Sequence, residues 1–528
     1  MGTLEPILIG GRWCASLDAH GSFRAEDPAH AEAIGPAFPI SGDADIEAAM
    51  RAAIDAADTL CAAPPTQIAD FLERYAAAIE ADGDCLVALA HAETALPVEP
   101  RLRSVELPRT SNQLRLAAQA VRDYAWTDPV IDTQAGLRAH RAPLGKPVLV
   151  FGPNNFPFAF NAIAGSDFAS AIAACNPVIA KAHPSHPATS QRLAQLAHTA
   201  LLEAGLPAAA VQMLYHFDNA LGLAWAGDAR LGAIGFTGSR NGGLALKAAA
   251  DKAGVPIYAE LSSINPVFLL PGALSERGEV LAQEFFASCT MGSGQFCTNP
   301  GVVIAPKGEQ GDAFVTAAKK LFAEADPKVL FSRGVQQNLA RAVNDLRAAG
   351  AQALTGGSVG DGYRFQPTLL NVDDDTFLAH AESLQAEAFG PVSLIIRAKD
   401  LASMQRIAAS FEGNLTGTIY RSADGSDDGA WQALAPVLRN KVGRLIANKM
   451  PTGVAVSAAM NHGGPYPSTS HPGFTSVGMP ASIRRFSALH SYDNVPEALL
   501  PVELHNRNPG GVQRLVDGRW TDGDIGQE

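Results

Sequence analysis

The sequence lacks most of the features that would tie it to a membrane, a nucleic acid or a disulfide framework. Among 528 residues there are six cysteines, Cys14, Cys61, Cys85, Cys175, Cys289 and Cys297. No CxxC and no paired spacing occurs, which excludes a zinc knuckle and a disulfide scaffold. Reduced thiols in a reducing compartment are expected instead. Positive charge is not in excess: Lys and Arg number 40 against 53 Asp and Glu, a net charge of −13. That argues against nucleic-acid or anionic-membrane partners, which need a basic surface. No apolar run approaches the roughly 18 residues that span a bilayer. The opening "MGTLEPILIGGRW" has no basic region followed by an apolar one, and position 6 is Pro6 where a myristoylation motif needs Ser or Thr. A cytoplasmic location is expected. There is no repeat at a solenoid period, no low-complexity tract and no GxGxxG fingerprint.

What is present is ordinary globular patterning. Hydrophobic residues make up 47% of the chain, enough for large cores, and the length suggests two to four domains. After a short N-terminal strand region, "DADIEAAMRAAIDAADTL" (43–60), "TQIADFLERYAAAIEAD" (66–82) and "LPRTSNQLRLAAQAVRDYAW" (107–126) carry helical spacing. Turn residues and alternation over 127–146 suggest a hairpin or bridging arm. From 147 onward strands and helices alternate: "PVLVFGP", the helix "FNAIAGSDFASAIAAC", "PVIAKAHP", the helix "SHPATSQRLAQLAHTALLEAG", "VQMLY", "LGAIGFTG", the helix "SRNGGLALKAAADKAG" and "VPIYAEL". Such alternation predicts a parallel sheet covered on both faces, with ligands at the carboxyl ends of its strands. A second α/β region follows, with strands "NPVFLL", "GVVIAP" and "FGPVSLIIRA". The tail beyond 484 reads as irregular, packed on the body or on another subunit.

Several residues stand where chemistry is expected. Cys297 lies in "GSGQFCTNPG". A lone cysteine is more often a small buried hydrophobe than a nucleophile. Here Gly292, Gly294 and Gly301 allow close approach of a backbone or substrate, and Asn299-Pro300 favours a turn. Glu260 ends a predicted strand in "YAELSSINP"; it is a solvated loop carboxylate or a base facing the ligand crevice. Asn155 and its neighbour Asn154 follow another strand in "FGPNNFPFAFN", and an asparagine amide there is a plain turn residue or an uncharged oxyanion donor. "GFTGSRNGG" opens a helix after a strand, a ready anion site. Lys181 ends "PVIAKAHP", solvated or on a ribose or phosphate. His183 and His186 in "HPSHP" are not expected to bind metal, because no carboxylate or further histidine completes a set.

Taken in order, "NNFP", "PVIAKAHP", "GFTGS", "YAELSSINP", "GQFCTNPG" and "EAFGPV" resemble the aldehyde dehydrogenase superfamily over about residues 5–500. "KAHPSHP", "GQFCTNPG" and "HGGPYPSTS…TSVGMPASIRRF" narrow the resemblance to the bacterial 2,5-dioxopentanoate (α-ketoglutarate semialdehyde) dehydrogenases and their NADP-preferring relatives. The resemblance implies an α/β fold with two doubly wound domains and a small bridging or oligomerisation arm. It implies a dinucleotide-binding domain from 1–126 and 147–262 and a catalytic domain over 263–483. Bridging segments at 127–146 and 484–495 and a C-terminal extension at 496–528 complete it.

The resemblance also implies roles. Cys297 would be the nucleophile, Glu260 the general base, and Asn155 an oxyanion donor together with the Cys297 N–H. Lys181 would bind the adenosine ribose, Gly238, Ser239 and Gly243 the pyrophosphate, and Glu387 the nicotinamide ribose with Phe389 beside it. Many NAD-preferring members carry an acidic residue three positions after this lysine; Pro184 stands there and favours NADP, with NAD still permitted. The implied reaction oxidises an aldehyde to a carboxylic acid, with 2,5-dioxopentanoate expected and medium- or long-chain aliphatic aldehydes as the alternative. A thiol esterase, an inactive scaffold member and a CoA-acylating enzyme are the remaining classes. Arg484 and Arg485 are as readily structural as substrate-binding. A homodimer or homotetramer is expected.

Overall fold

The computed structural model describes residues 3–526. Five parallel strands form the first sheet, in spatial order Ile257–Glu260, Ala233–Thr237, Val148–Phe151, Val178–Lys181 and Val211–Leu214. Ile7–Ile9 and Arg12–Cys14 extend it antiparallel. These strands are short and almost wholly apolar because helices cover both faces. The chain runs outward from Val148–Phe151 in one direction and returns to its other side at Ala233–Thr237. Strand order therefore reverses between these two, which is where such sheets open a crevice. The carboxyl ends there lead directly into Asn155 and Gly238.

The second sheet places Val302–Pro306 between Val267–Leu269 and Val392–Ala398, with Asn414–Tyr420, Val442–Ala447 and Thr368–Asp373 outside them in parallel. Its own apolar cores fill both faces. One continuous core unites the N-terminal helices Asp43–Cys61, Pro65–Ala81 and Leu107–Arg122 with the first sheet.

Three segments depart from the sequence reading. Strand structure at the N-terminus reaches further than a short region, because Ala19–Asp27 and Glu32–Ser41 pair as a long hairpin. The helix expected over 160–175 is confined to Ser166–Ala173. A Cβ on Gly165 would sit 2.5 Å from the Phe160 backbone, and one on Gly152 2.7 Å from the Ala162 nitrogen. Residues 158–165 thus turn tightly across the strand end instead of coiling. The tail is not irregular throughout: Ser487–Asp493 pairs antiparallel with Leu137–Pro143 over seven residues. A third sheet results, with Val130–Asp132 beyond it and Arg514–Val516 and Arg519–Thr521 at its far edge.

Residues 497–526 are thus tied to the 127–146 arm. Ile131, Leu500 and Leu504 form a small core, and buried His140 faces Glu503 at 2.8 Å. Arg514 is fully buried and donates to the carbonyls of His505, Asn506 and Gly523. Arg514→Met keeps the apolar stem and removes these donors, leaving three carbonyls to find water. Limited proteolysis should then cut within 505–526 at least about 10-fold faster, while the denaturation midpoint of the two main domains stays put. Unchanged cleavage would show that the tail is held by other contacts.

Candidate active site

Glu260 closes the strand Ile257–Glu260 at the edge of the first sheet, and the segment 461–476 runs along that edge. Ser470 N donates to Ala259 O, Leu261 N to Ser468 O, and Glu260 itself bridges Thr469. This strap brings two side chains onto the carboxylate. Ser476 Oγ donates to Glu260 Oε2 at 2.8 Å, and the His462 Nε2 lies 2.9 Å from Oε1. His462 and Ser476 are fixed to one another, Ser476 N donating to His462 O and His462 N to Thr475 Oγ1. Glu260, His462 and Ser476 are each 2% exposed.

Cys297 comes to the same point from the second domain. Gly292, Ser293 and Gly294 all take left-handed backbone conformations, at φ 53°, 60° and 69°. A Cβ on Gly294 would lie 2.3 Å from the Gly390 carbonyl carbon, so only glycine lets this turn cross the "EAFGPV" loop. Asn265, itself at φ 48°, donates to the carbonyls of both Cys297 and Asn299, which locks the loop after the turn. The result sets Cys297 Sγ 3.5 Å from His462 Nε2. His462 therefore touches the thiol with the same nitrogen that faces Glu260.

Electrostatics follow from burial. Desolvation pushes the Cys297 thiol well above its ordinary value, and the adjacent Glu260 charge pushes it further; Arg109 opposes both. Burial also works against ionised Glu260, but the His462 ring and the Ser476 hydroxyl outweigh it and leave its carboxyl below the ordinary value. At neutral pH the pair is a protonated thiol beside an ionised base.

Asn155 is buried, and its amide donates to Gln295 O at 2.9 Å, two residues before the thiol. One of its two N–H groups is thereby committed and the other is free to donate. The backbone carbonyl of Asn155 accepts from Arg101 Nη2, and buried His186 reaches the carbonyl of Pro153, so the whole turn is anchored. His183 and His186 lie 5.6 Å apart between ring centroids, and burial holds both well below the usual histidine range.

The other predicted residues form two groups. Gly238, Ser239 and Gly243 sit where the strand Ala233–Thr237 passes into the helix Arg240–Ala253. The Ser239 hydroxyl caps that helix by accepting from Gly242 N, and Gly238 N donates to Glu260 O. A Cβ on Gly243 would fall 2.2 Å from Leu261, so glycine here lets the helix start sit close against the sheet. Lys181 ends the strand Val178–Lys181 near Phe217, and burial lowers its amine to about 8. Glu387 and Phe389 line a cleft together with Ser263, Phe296 and Asn299. Burial raises the Glu387 carboxyl to about 7 although Ser262 and the Ser263 N–H favour its charged form. Arg485 is salt-bridged to Asp167 at 2.8 Å and Arg484 to Asp128, so both are structural.

Chemically, a half-buried thiol against a buried imidazole and carboxylate can be deprotonated on demand, and the carboxylate can then activate water. The same three offer ligand atoms within 4.8 Å of one another, a set a zinc-like ion would accept. Asp373, Asp374 and Asp375 form a second acidic group, engaged with Lys307, Lys399 and Ser403. His462, Ser476 and Asn265 were not singled out in the sequence. Only the histidine in "NHGGPYPSTS" offered a signal, and its distance of 165 residues from Cys297 hid the contact.

Comparison with known proteins agrees with this geometry. A profile described as "Aldehyde dehydrogenase family" matches residues 13–487. Alpha-ketoglutaric semialdehyde dehydrogenase 2 of Azospirillum brasilense is 42% identical, over 97% of this chain and 98% of its own. Alpha-ketoglutaric semialdehyde dehydrogenase of Acinetobacter baylyi is 38% identical, over 86% and 87%. Among solved structures, PnpE in complex with nicotinamide adenine dinucleotide shares the fold with a TM-score of 0.78 at 21% identity, covering 93% of this chain and 97% of PnpE. With a half-buried Cys297 beside buried His462 and Glu260 between two doubly wound sheets, and a family match spanning nearly its whole length, the chain belongs to the aldehyde dehydrogenase family and is an NAD(P)-dependent aldehyde dehydrogenase.

Proposed function

We propose that the enzyme oxidises 2,5-dioxopentanoate to 2-oxoglutarate with NADP, through a covalent intermediate on Cys297. The observation that carries the mechanism is the contact of Cys297 Sγ with His462 Nε2, itself set against Glu260. The names of the two relatives at 42% and 38% identity support the substrate.

The thiol proton leaves toward Glu260, with His462 holding the bridging position, as sulfur attacks the aldehyde carbonyl. The free N–H of Asn155 and the backbone N–H of Cys297 stabilise the oxyanion that forms. When bound, NAD(P) supplies the hydride acceptor. Glu260 passes that proton on to solvent, then takes one from water as it attacks the acyl group on Cys297, and returns it to the sulfur as the acid leaves. Its lowered pKa leaves it ionised, and so able to accept a proton, at the start of each step.

The residues present fit the dinucleotide. Gly243 lets the helix start Arg240–Ala253 press close to the sheet, where backbone N–H groups and the helix dipole favour phosphate. Glu387 and Phe389 would hold the nicotinamide end at the cleft beside the Cys297 turn. At the adenosine end, Lys181, His183 and His216 cluster beyond two strand ends, and Pro184 stands where an acidic residue would repel a 2′-phosphate. This supports NADP over NAD. Six free thiols fit a reducing cytoplasm. The exposed Leu137, Leu489, Leu499 and Trp520 of the arm sheet fit a homodimer or homotetramer built through that arm.

Cys297→Ala should abolish NADP reduction with 2,5-dioxopentanoate; surviving turnover would reject the nucleophile. Glu260→Gln should slow the single-turnover burst of NADPH as well as steady turnover, the latter about 1,000-fold, because Glu260 serves both proton transfers; His462→Gln should slow turnover about 100-fold. Full steady-state rates in either would remove that residue from the chemistry. Lys181→Met should lower the kcat/KM ratio of NADP over NAD by about 10-fold or more. An unchanged ratio would leave Lys181 out of phosphate recognition.

A further inference from the structure

We propose that the guanidinium of Arg109 forms a carboxylate-binding subsite for the far end of the aldehyde substrate. The inference rests on the proposed reading of the centre and names the group that selects its substrate class.

Arg109 lies in the first turn of the helix Leu107–Arg122. Its Nε and Nη2 are buried without a hydrogen-bond partner, and among the described residues it makes no ion pair. Arg109 is half-buried, and a cation whose donors are held out of solvent unused is costly unless an anion completes it. Its neighbours provide none. Arg109 sits over the rings of Phe156 and Phe160, 5.5 and 5.0 Å from their centroids. The nearby carboxylate, Glu106, is fully committed: one oxygen accepts from Phe158 N and Ala159 N, the other from Arg101.

Three other buried or half-buried arginines differ from it. Arg101 packs on the same Phe156 ring at 4.5 Å but is neutralised by Glu106. Arg485 is paired with Asp167. Arg444 donates to the carbonyls of Pro451 and Gly453 and so braces a loop. Arg109 alone of these four has neither a carboxylate nor a carbonyl.

The same rings connect it to the reacting sulfur. Phe160 packs on His462 with centroids 5.8 Å apart, and Phe156 on Phe296, the residue before Cys297, at 5.3 Å. Phe156, Ala159, Phe160, Phe296 and Val477 form one apolar cluster. Arg109 is also close enough for its charge to act on Cys297 and Glu260. An apolar wall with a thiol at one end and an unpaired guanidinium at the other suits a short aldehyde with a terminal carboxylate. Guanidinium presents paired donors matched to such a group.

The test compares 5-oxopentanoate and 2,5-dioxopentanoate with pentanal, a neutral aldehyde of equal length, in wild type, Arg109→Met and Arg109→Lys. Wild type should favour the carboxylated aldehydes. Arg109→Met should cut the kcat/KM ratio of 2,5-dioxopentanoate over pentanal about 100-fold, mainly through KM, and Arg109→Lys should recover part of it. Equal losses on both substrates, or a ratio within about 3-fold of wild type, would overturn the subsite while leaving the proposed reaction intact. A wild type that prefers pentanal would overturn the subsite and the proposed substrate together. A measurement free of any folding defect uses wild type alone. Glutarate should inhibit competitively against pentanal, whereas pentan-1-ol at equal concentration should not; failure of glutarate to compete would also overturn the subsite.

Discussion

The site depends on one buried carboxylate. Glu260 stands at the end of a parallel strand, 2% exposed, and accepts the Ser476 hydroxyl while facing the His462 ring. An ionised carboxylate in such surroundings is stable only with close polar partners. The 461–476 strap provides them, and by pairing with the strand edge it also carries His462 up to Cys297. Removing the strap would leave an uncompensated charge in an apolar interior, so packing and chemistry are coupled through the same contacts.

That coupling explains why the thiol is not activated at rest. Burial and the neighbouring anion both favour the protonated form of Cys297. A permanently ionised thiolate would need an adjacent cation or helix start. Here the sequence supplies a base instead, and Arg109, the cation whose field reaches the sulfur, sits across a wall of phenylalanine rings. On the proposed mechanism, proton transfer to Glu260 then occurs as the aldehyde arrives.

Much of this was legible in the sequence, for identifiable reasons. Strand ends mark ligand crevices in parallel sheets, so local pattern put Glu260, Asn155 and Gly238 at such ends, while their roles came only from the resemblance to the aldehyde dehydrogenases. Cys297 was marked by its glycines, whose purpose the structure sharpens: Gly294 is needed where two backbones cross at Gly390. His462, Asn265 and Arg109 were not found, because each acts over a long sequence separation. Asn265 acts only through backbone carbonyls, and Arg109 reads as one more polar residue on an amphipathic helix. The shortened helix at 166–173 was hidden for a related reason. Residues 158–165 have helical composition, but Glu106 and the Gly152 and Gly165 crossings hold them in turns. The strand at 487–493 was missed because its polar exposed residues carry no alternation, and its partner lies in the 137–143 arm.

The central claim is that Cys297 rests as a neutral thiol and is ionised by Glu260 only when substrate arrives. The most direct test is the ultraviolet absorbance of thiolate, taken as wild type minus Cys297→Ser across a pH titration of the ligand-free enzyme. The account predicts no Cys297 thiolate signal at neutral pH and a midpoint above the roughly 8.5 of an ordinary thiol. That midpoint should move down in Glu260→Gln, where the neighbouring negative charge is gone. A midpoint below neutrality, or one that Glu260→Gln leaves in place, would contradict it.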